Sequence, residues 1–275
     1  RHPSVINFII NNSYSLIWIL VEPSPISTCE SALGYVIGTD WFSSGKLLSK
    51  KLLAQGYKLI HVYSAKPTKQ FNIQTTIPNF EKRFLFDGDI EKMTGQLRQY
   101  KPLAVIPGAE RGVLFADELA AELKKEFPWI SSNGINEARR DKFLMGEALR
   151  KLGIDSIVQT KTTSIEETLD WIKRKNLLPG KVVLKPKKSS GTEGVYICNN
   201  EYEVRMAFEK IYEKFNQYGF INDEVLVQEF LVGHEYVVNT ASYNGKHKVT
   251  DIWQYTKQAL SDAANLYDYD LLLPF

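Results

Sequence analysis

The chain has 275 residues, 44% of them hydrophobic and 24% charged, with 34 basic against 32 acidic side chains and a formal net charge of +2. That length and ordinary composition predict two or three globular domains whose cores need no metal or disulfide staple. The scattered charges form no basic stripe, which argues against a nucleic-acid partner. The two cysteines, Cys29 and Cys198, lie far apart without metal-ligand spacing and fit a reducing cytoplasm.

The first thirty residues hold two apolar runs, 5–10 and 16–21, split by Asn11, Asn12, Ser13, Tyr14 and Ser15. The polar break fits neither a signal peptide nor a membrane span of about 20 apolar residues. Two strands, or a strand and a tail, are the better expectation. A strand is expected over 35–38, followed by a helix over 45–54 capped by Ser44 and closed by Gly56, then a strand over 57–63. A further strand is expected at 84–86, a helix over 90–100, a strand over 104–107 and a helix over 113–127 that Pro128 stops. Strands alternating with helices predict a doubly wound α/β domain up to about residue 130.

The rhythm then changes. A helix is expected from Asn136 or Glu137 to Gly153, a strand over 157–160, and a helix after the cap pair Thr163 and Ser164. Strands follow at 182–186 and 194–198, a helix over 202–215, and strands at 225–230 and 235–241. Asn244 and Gly245 have the chemistry of a hairpin turn before a strand at 248–252.

The chemical signal lies in this second half. The run from Leu184 to Val195 is a strand ending in Lys185, a loop holding Ser189, Ser190, Gly191 and Thr192, and a return strand after Gly194. Glycines admit close backbone approach, hydroxyls and main-chain N–H groups donate, and lysine brings charge, so the segment suits phosphates. A solvated hairpin with a basic tip would read the same in isolation. Upstream, Lys142 follows Asp141 at a helix start. Downstream, Gln228, Glu229, Phe230 and Leu231 lead through Gly233 to Glu235. An apolar slot with main-chain groups at its edge suits a purine, and a carboxylate a few residues on suits a ribose diol.

A helix lysine, a lysine before a Ser/Gly loop, then V-Q-E-F-L-x-G-x-E-Y in that order resembles the ATP-grasp superfamily. Within it the likeness is to L-amino acid ligases and dipeptide synthetases of the bacilysin-synthetase kind, which the stretches 251–255 and 267–270 also resemble. The resemblance covers residues 34–275 in layout, with specific motifs from Lys142 onward. It implies an α/β protein with a doubly wound pre-ATP-grasp domain over 31–130, after an extension over 1–30. ATP-grasp lobes with antiparallel sheets would fill 131–275, with a lid at about 156–230 and an incomplete C-terminal part. It implies ATP and Mg²⁺ as cofactors and carboxylate and amine substrates, with no nucleic acid, no membrane and a possible homodimer. Lys142 and Lys185 would hold the α- and β-phosphates, and the loop with Ser189, Ser190, Gly191 and Thr192 would close over them. Gln228, Glu229, Phe230 and Leu231 would meet the adenine, and Glu235 the ribose.

One departure stands out. The family binds magnesium and stabilises its transition state through a late stretch bearing Glu, Asn and Arg. Asp251, Asp268 and Asp270 sit in no such stretch, so those residues are expected beyond Phe275, on a longer enzyme. Another ATP-grasp enzyme, of carboxylase or D-alanine-ligase type, and a non-catalytic ATP-binding module are the alternatives. Other motifs fail. Between Gly38 and Gly45 six residues intervene and Leu47 follows Lys46, so no Walker A is present. No G-x-G-x-x-G follows the first strand, and no Cys/His or G-x-S-x-G arrangement supplies a nucleophile.

Overall fold

The computed structural model describes residues 33–42, 45–66, 80–243, 246–260 and 263–274. The expectations for residues 1–30, the Ser44 cap and the Asn244–Gly245 turn lie outside these. The chain divides into two compact units, one running to Asn136 and including Asn239–Thr250, the other formed by Glu137–Val238 and Asp251–Phe275.

The first unit is a parallel sheet of β1 (Tyr35–Thr39), β2 (Lys58–Tyr63), β3 (Phe80–Leu85) and β4 (Ala104–Pro107), in the order β3–β2–β1–β4. Helices α1 (Gly45–Ala54), α2 (Ile90–Arg98) and α3 (Val113–Lys124) connect and cover it. Strand alternation sends neighbouring residues to opposite faces. Val36, Leu59 and Ile106 join Leu48 and Leu52 of α1 on one face. Ile37, Ile60 and Val62 join Met93 and Leu97 of α2 and Leu119 of α3 on the other. Both faces being buried, β1 and β2 read as apolar runs, as strands of parallel sheets do. β3 begins earlier than expected because it is an edge strand. Its Glu81, Lys82 and Arg83 are exposed, a charged pattern that disguises a strand.

The second unit begins with a 3-10 turn, Glu137–Arg139, and then α4 (Lys142–Lys151). The helix therefore starts later than expected, since Asp141 is its N-cap, accepting from the amides of Phe143 and Leu144. A four-stranded antiparallel sheet follows, in the order β5–β8–β6–β7, from β5 (Gln159–Thr162), β6 (Val182–Pro186), β7 (Tyr196–Cys198) and β8 (Val225–Glu229). Its first strand lies two residues later than expected. Helices α5 (Ile165–Arg174), capped by Ser164, and α6 (Glu201–Ile211), capped by Asn200, cover one face. Val182, Leu184, Val225 and Val227 point into that helical layer and are fully buried. α6 ends before its expected limit because Tyr212 turns extended and Glu213 takes a left-handed backbone.

A third sheet holds β9 (Glu235–Tyr243), β10 (Lys246–Leu260) and β11 (Ala263–Leu273), in the order β11–β10–β9, with β10 and β11 antiparallel. Among the described residues no helix is long and apolar enough to cross a membrane.

Candidate functional site

With Val182, Leu184, Val225 and Val227 turned to the helices, alternation sends Lys185, Leu226 and Gln228 to the opposite face of the sheet. Register sets Lys185 beside Leu226 and Val183 beside Gln228. Lys185 is the electrostatic anomaly of that face. Burial, then the positive charges of Lys142 and Lys257, pull its ammonium down to about 8, and the carboxylate of Glu235 opposes them only in part. A buried ammonium thus feels two further positive charges that Glu235 does not offset, an arrangement that favours a polyanion.

Local structure explains how they meet. The main-chain amide of Lys142, at the start of α4, donates to Lys187 O at 3.1 Å, and its Nζ donates to Ser189 O at 2.5 Å. The helix start is thereby fastened to the strand exit that carries Lys185. Lys257 arrives from β10, where the pairing with β11 shifts register between Thr256 and Lys257. Such irregularities re-aim side chains. Its Nζ lies 2.5 Å from Glu235 Oε2 at the head of β9.

The loop after β6 turns on Gly191 and Thr192, both left-handed at φ +62°. It is docked on the turn after α6 at several points. Gln217 Nε2 donates to Ser190 O at 2.8 Å, Asn216 Nδ2 donates to Lys188 O at 3.1 Å, and the Ser190 hydroxyl meets that of Tyr218. Glu193 Oε1 accepts from the Gln217 amide at 2.5 Å, while burial raises the pKa of its carboxyl. Ser189 Oγ donates to Glu193 O at 3.2 Å. The loop therefore presents its backbone in a defined curve, with Thr192 Oγ1 donating back to Gly191 O.

The 228–235 segment is partly committed elsewhere. Gln228 is buried, and its Nε2 donates to Gln159 Oε1 at 2.8 Å, while Gln159 in turn donates to Phe143 O and Glu147. Glu229 clamps the entry to β5, its amide donating to Val158 O and its carboxylate accepting from Val158 N. Phe230 lies beneath Lys181, whose Nζ is 5.1 Å from the ring centroid. Leu231 is 65% exposed. The side chains of Gln228 and Glu229 thus hold β5, β8 and α4 together, Phe230 is half-buried, and the exposed residues of the segment begin at Leu231.

Lys257 was invisible in the sequence. It lies on a strand without motif, and only the return of β10 beside β9 brings it to Glu235. The late carboxylates do not converge. Asp251 accepts from Trp253 Nε1 at 2.6 Å, Asp268 and Asp270 are exposed on β11, and among the described residues no group of three metal-ligating side chains forms. These residues do not fit a protein-held magnesium, so no metal ligand is assigned.

Residues 178–268 match the ATP-grasp domain family. That segment contains the Ser/Gly loop and the 227–236 run, two of the three parts of the motif series. The chain is 36% identical over 225 residues to dapdiamide A synthase of Enterobacter agglomerans, an alignment covering 81% of this chain and 52% of that protein. It is 31% identical over 88 residues to D-alanine–D-alanine ligase of Petrotoga mobilis, covering 32% and 26%. The fold is similar to that of an L-amino acid ligase from Bacillus licheniformis, with a TM-score of 0.61 and 16% identity over 88% of this chain and 58% of the other. It is also similar to N5-carboxyaminoimidazole synthetase from Staphylococcus aureus in complex with ADP, with a TM-score of 0.56 and 15% identity over 82% and 55%. The chain spans about half the length of the first of these curated relatives. The resemblance to ATP-grasp amino-acid ligases read from the motifs is borne out.

Proposed function

We propose that the second unit binds ATP and that the chain is the nucleotide-holding part of an ATP-dependent carboxylate–amine ligase acting on amino acids. The single observation that carries this is Lys185, a buried lysine whose pKa is lowered by burial and by the charges of Lys142 and Lys257 more than Glu235 raises it. Evolution of a stable fold alone gives no reason to assemble such repulsion, whereas a triphosphate neutralises it. The names of the relatives, dapdiamide A synthase and D-alanine–D-alanine ligase, point to amide-forming chemistry on amino acids.

In this reading Lys142 and Lys185 hold the α- and β-phosphates and Lys257 adds the third positive charge. Backbone amides of the loop with Ser189, Ser190, Gly191 and Thr192 complete the phosphate cradle. The main chain from Phe230 to Leu231 receives the adenine edge, and Glu235, exchanging its lysine, receives the ribose hydroxyls. A substrate carboxylate oxygen attacks the γ-phosphorus, ADP leaves, and an acyl phosphate forms. An amine then attacks the acyl carbon, inorganic phosphate departs, and the amine loses its proton. Positioning and charge neutralisation are the protein's share of such a transfer. Magnesium is expected to accompany the nucleotide.

The test is ATP affinity, measured by calorimetry, for the full chain and for the double substitution Lys142→Met with Lys185→Met. Affinity should fall at least about a hundredfold, the loss expected for two charge-assisted contacts. Unchanged affinity sinks the reading. ADP release dependent on particular amino acids would establish ligation, and ATP binding without turnover under any amino acid would favour a nucleotide-binding module.

A further inference from the structure

Gln159 of β5 and Gln228 of β8 are register partners on the sheet face that also carries Lys185. Gln159 reaches α4 through a notch. A Cβ on the buried Gly146 would lie 2.5 Å from Gln159 Nε2, so glycine leaves the amide its space. There Nε2 donates to Phe143 O at 2.8 Å and to Glu147 Oε1 at 3.1 Å. The first partner is a main-chain carbonyl. The second is a carboxylate whose pKa is lowered by the hydrogen bond from Arg150 and then by that from Gln159. Both groups can only accept.

Those two acceptors fix which way the Gln159 amide lies, since only its partners distinguish its nitrogen from its oxygen. The nitrogen must face α4, and the oxygen must face Gln228. Gln228 Nε2 donates to that oxygen at 2.8 Å. The constraint therefore passes to the second amide. Gln228 turns its donor end to Gln159, and its own Oε1 is left over. No donor among the described residues meets this oxygen, and it is not one of the polar atoms that the fold encloses without a partner. Gln228 is otherwise buried, so what it has to offer a ligand is an acceptor, and its orientation is set from α4 through Gln159.

We propose that Gln159 is the positioning residue that selects the nucleobase, by holding Gln228 with its oxygen toward the base so that a 6-amino purine is taken and a 6-oxo purine refused. This rests on the ATP reading above, in which the phosphates sit at Lys185 and the base lies along Phe230 and Leu231, just beyond Gln228 in the chain. The 6-amino group of adenine donates, whereas the 6-oxo group of hypoxanthine or guanine accepts and would meet Gln228 oxygen to oxygen. Such refusal is strong because the wrong base leaves a desolvated polar group without a partner.

The test is calorimetry on the full chain with ATP, ITP and purine riboside triphosphate, which carries only hydrogen at C6. ATP should bind at least about tenfold more tightly than purine riboside triphosphate, the worth of one hydrogen bond to a buried acceptor, and ITP more weakly still. Gln159→Lys separates positioning from support. Its ammonium can donate to Phe143 O and Glu147 as Gln159 does, but it offers Gln228 no acceptor. Gln228 must then turn its oxygen to the lysine and its nitrogen to the base, and the preference for ATP over ITP should fall at least about tenfold. Equal weakening of both nucleotides would show that Gln159 only braces the sheet, and would overturn the proposal. Equal affinity of the unsubstituted chain for ATP and purine riboside triphosphate would overturn it too, and that comparison needs no variant to fold. The ATP reading is judged by the Lys142/Lys185 double variant, so a chain that passes there and ignores the group at C6 fails this inference alone.

Discussion

The two faces of the β6–β8 pair obey different rules. On the helical face, Val182, Leu184, Val225 and Val227 are fully buried and chemically interchangeable with other aliphatics of like volume. On the opposite face stands Lys185, whose neighbours repel it. The contrast sharpens when Lys185 is set beside Lys187, two residues on. Lys187 is paired with Glu224 and lies 3.2 Å from Asp223. Burial lowers the pKa of its ammonium, but the hydrogen bonds it donates to those two carboxylates, with their charges, outweigh this and raise it. One lysine is satisfied by carboxylates of the fold, and the other sits among charges that lower its pKa.

The contrast can be broken by four measurements. Leu184→Ala should destabilise the second unit by about 2–5 kcal/mol, the cost of a cavity at a fully buried site, seen as a lowered denaturation midpoint. Lys185→Met should do the reverse. Thermal stability should hold or rise because a repelled charge is removed, while ATP affinity falls by about 1.5–3 kcal/mol in calorimetry. Equal destabilisation by both substitutions would erase the distinction between the faces.

The third measurement is pH dependence. Lys185 titrates near 8 in the fold, below its ordinary 10.5, so between those values the unfolded chain holds more protons. Stability without nucleotide should therefore rise across that window, with the burial cost fully present below pH 8. ATP affinity should move the opposite way, weakening by up to about tenfold per pH unit above 8 as the ammonium is lost. The smallest effect belongs to Lys187→Met, which should cost about 1 kcal/mol of stability and change ATP affinity less than about twofold. A large loss of nucleotide binding there would mean that its carboxylate partners do not mark it as structural.

Much of the architecture could be read from periodicity. Apolar runs marked β1 and β2 because a sheet covered on both faces leaves no polar alternation, and Ser164 announced α5 through local cap chemistry. β3 was harder because its charges answer to an edge position, which is a property of the sheet and not of the segment. The site divides in the same way. Lys142, Lys185 and the Ser/Gly loop are contiguous motifs, so local residue types reveal them. Lys257 depends on the return of a long strand and a register shift, and the bond between Gln228 and Gln159 depends on the pairing of β5 with β8. Those relations arise between distant segments, and no short pattern encodes them.

Cys198 closes β7, with 1% exposure and a thiol pushed up to about 12 by burial and the nearby Glu203 carboxylate. At neutral pH it holds almost no thiolate, the form that reacts with alkylating agents. Its labelling must then wait for the edge of the sheet to open, so the alkylation rate becomes an internal clock for local unfolding. Nucleotide that tightens the β6–β7 hairpin would slow that clock without touching the sulfur.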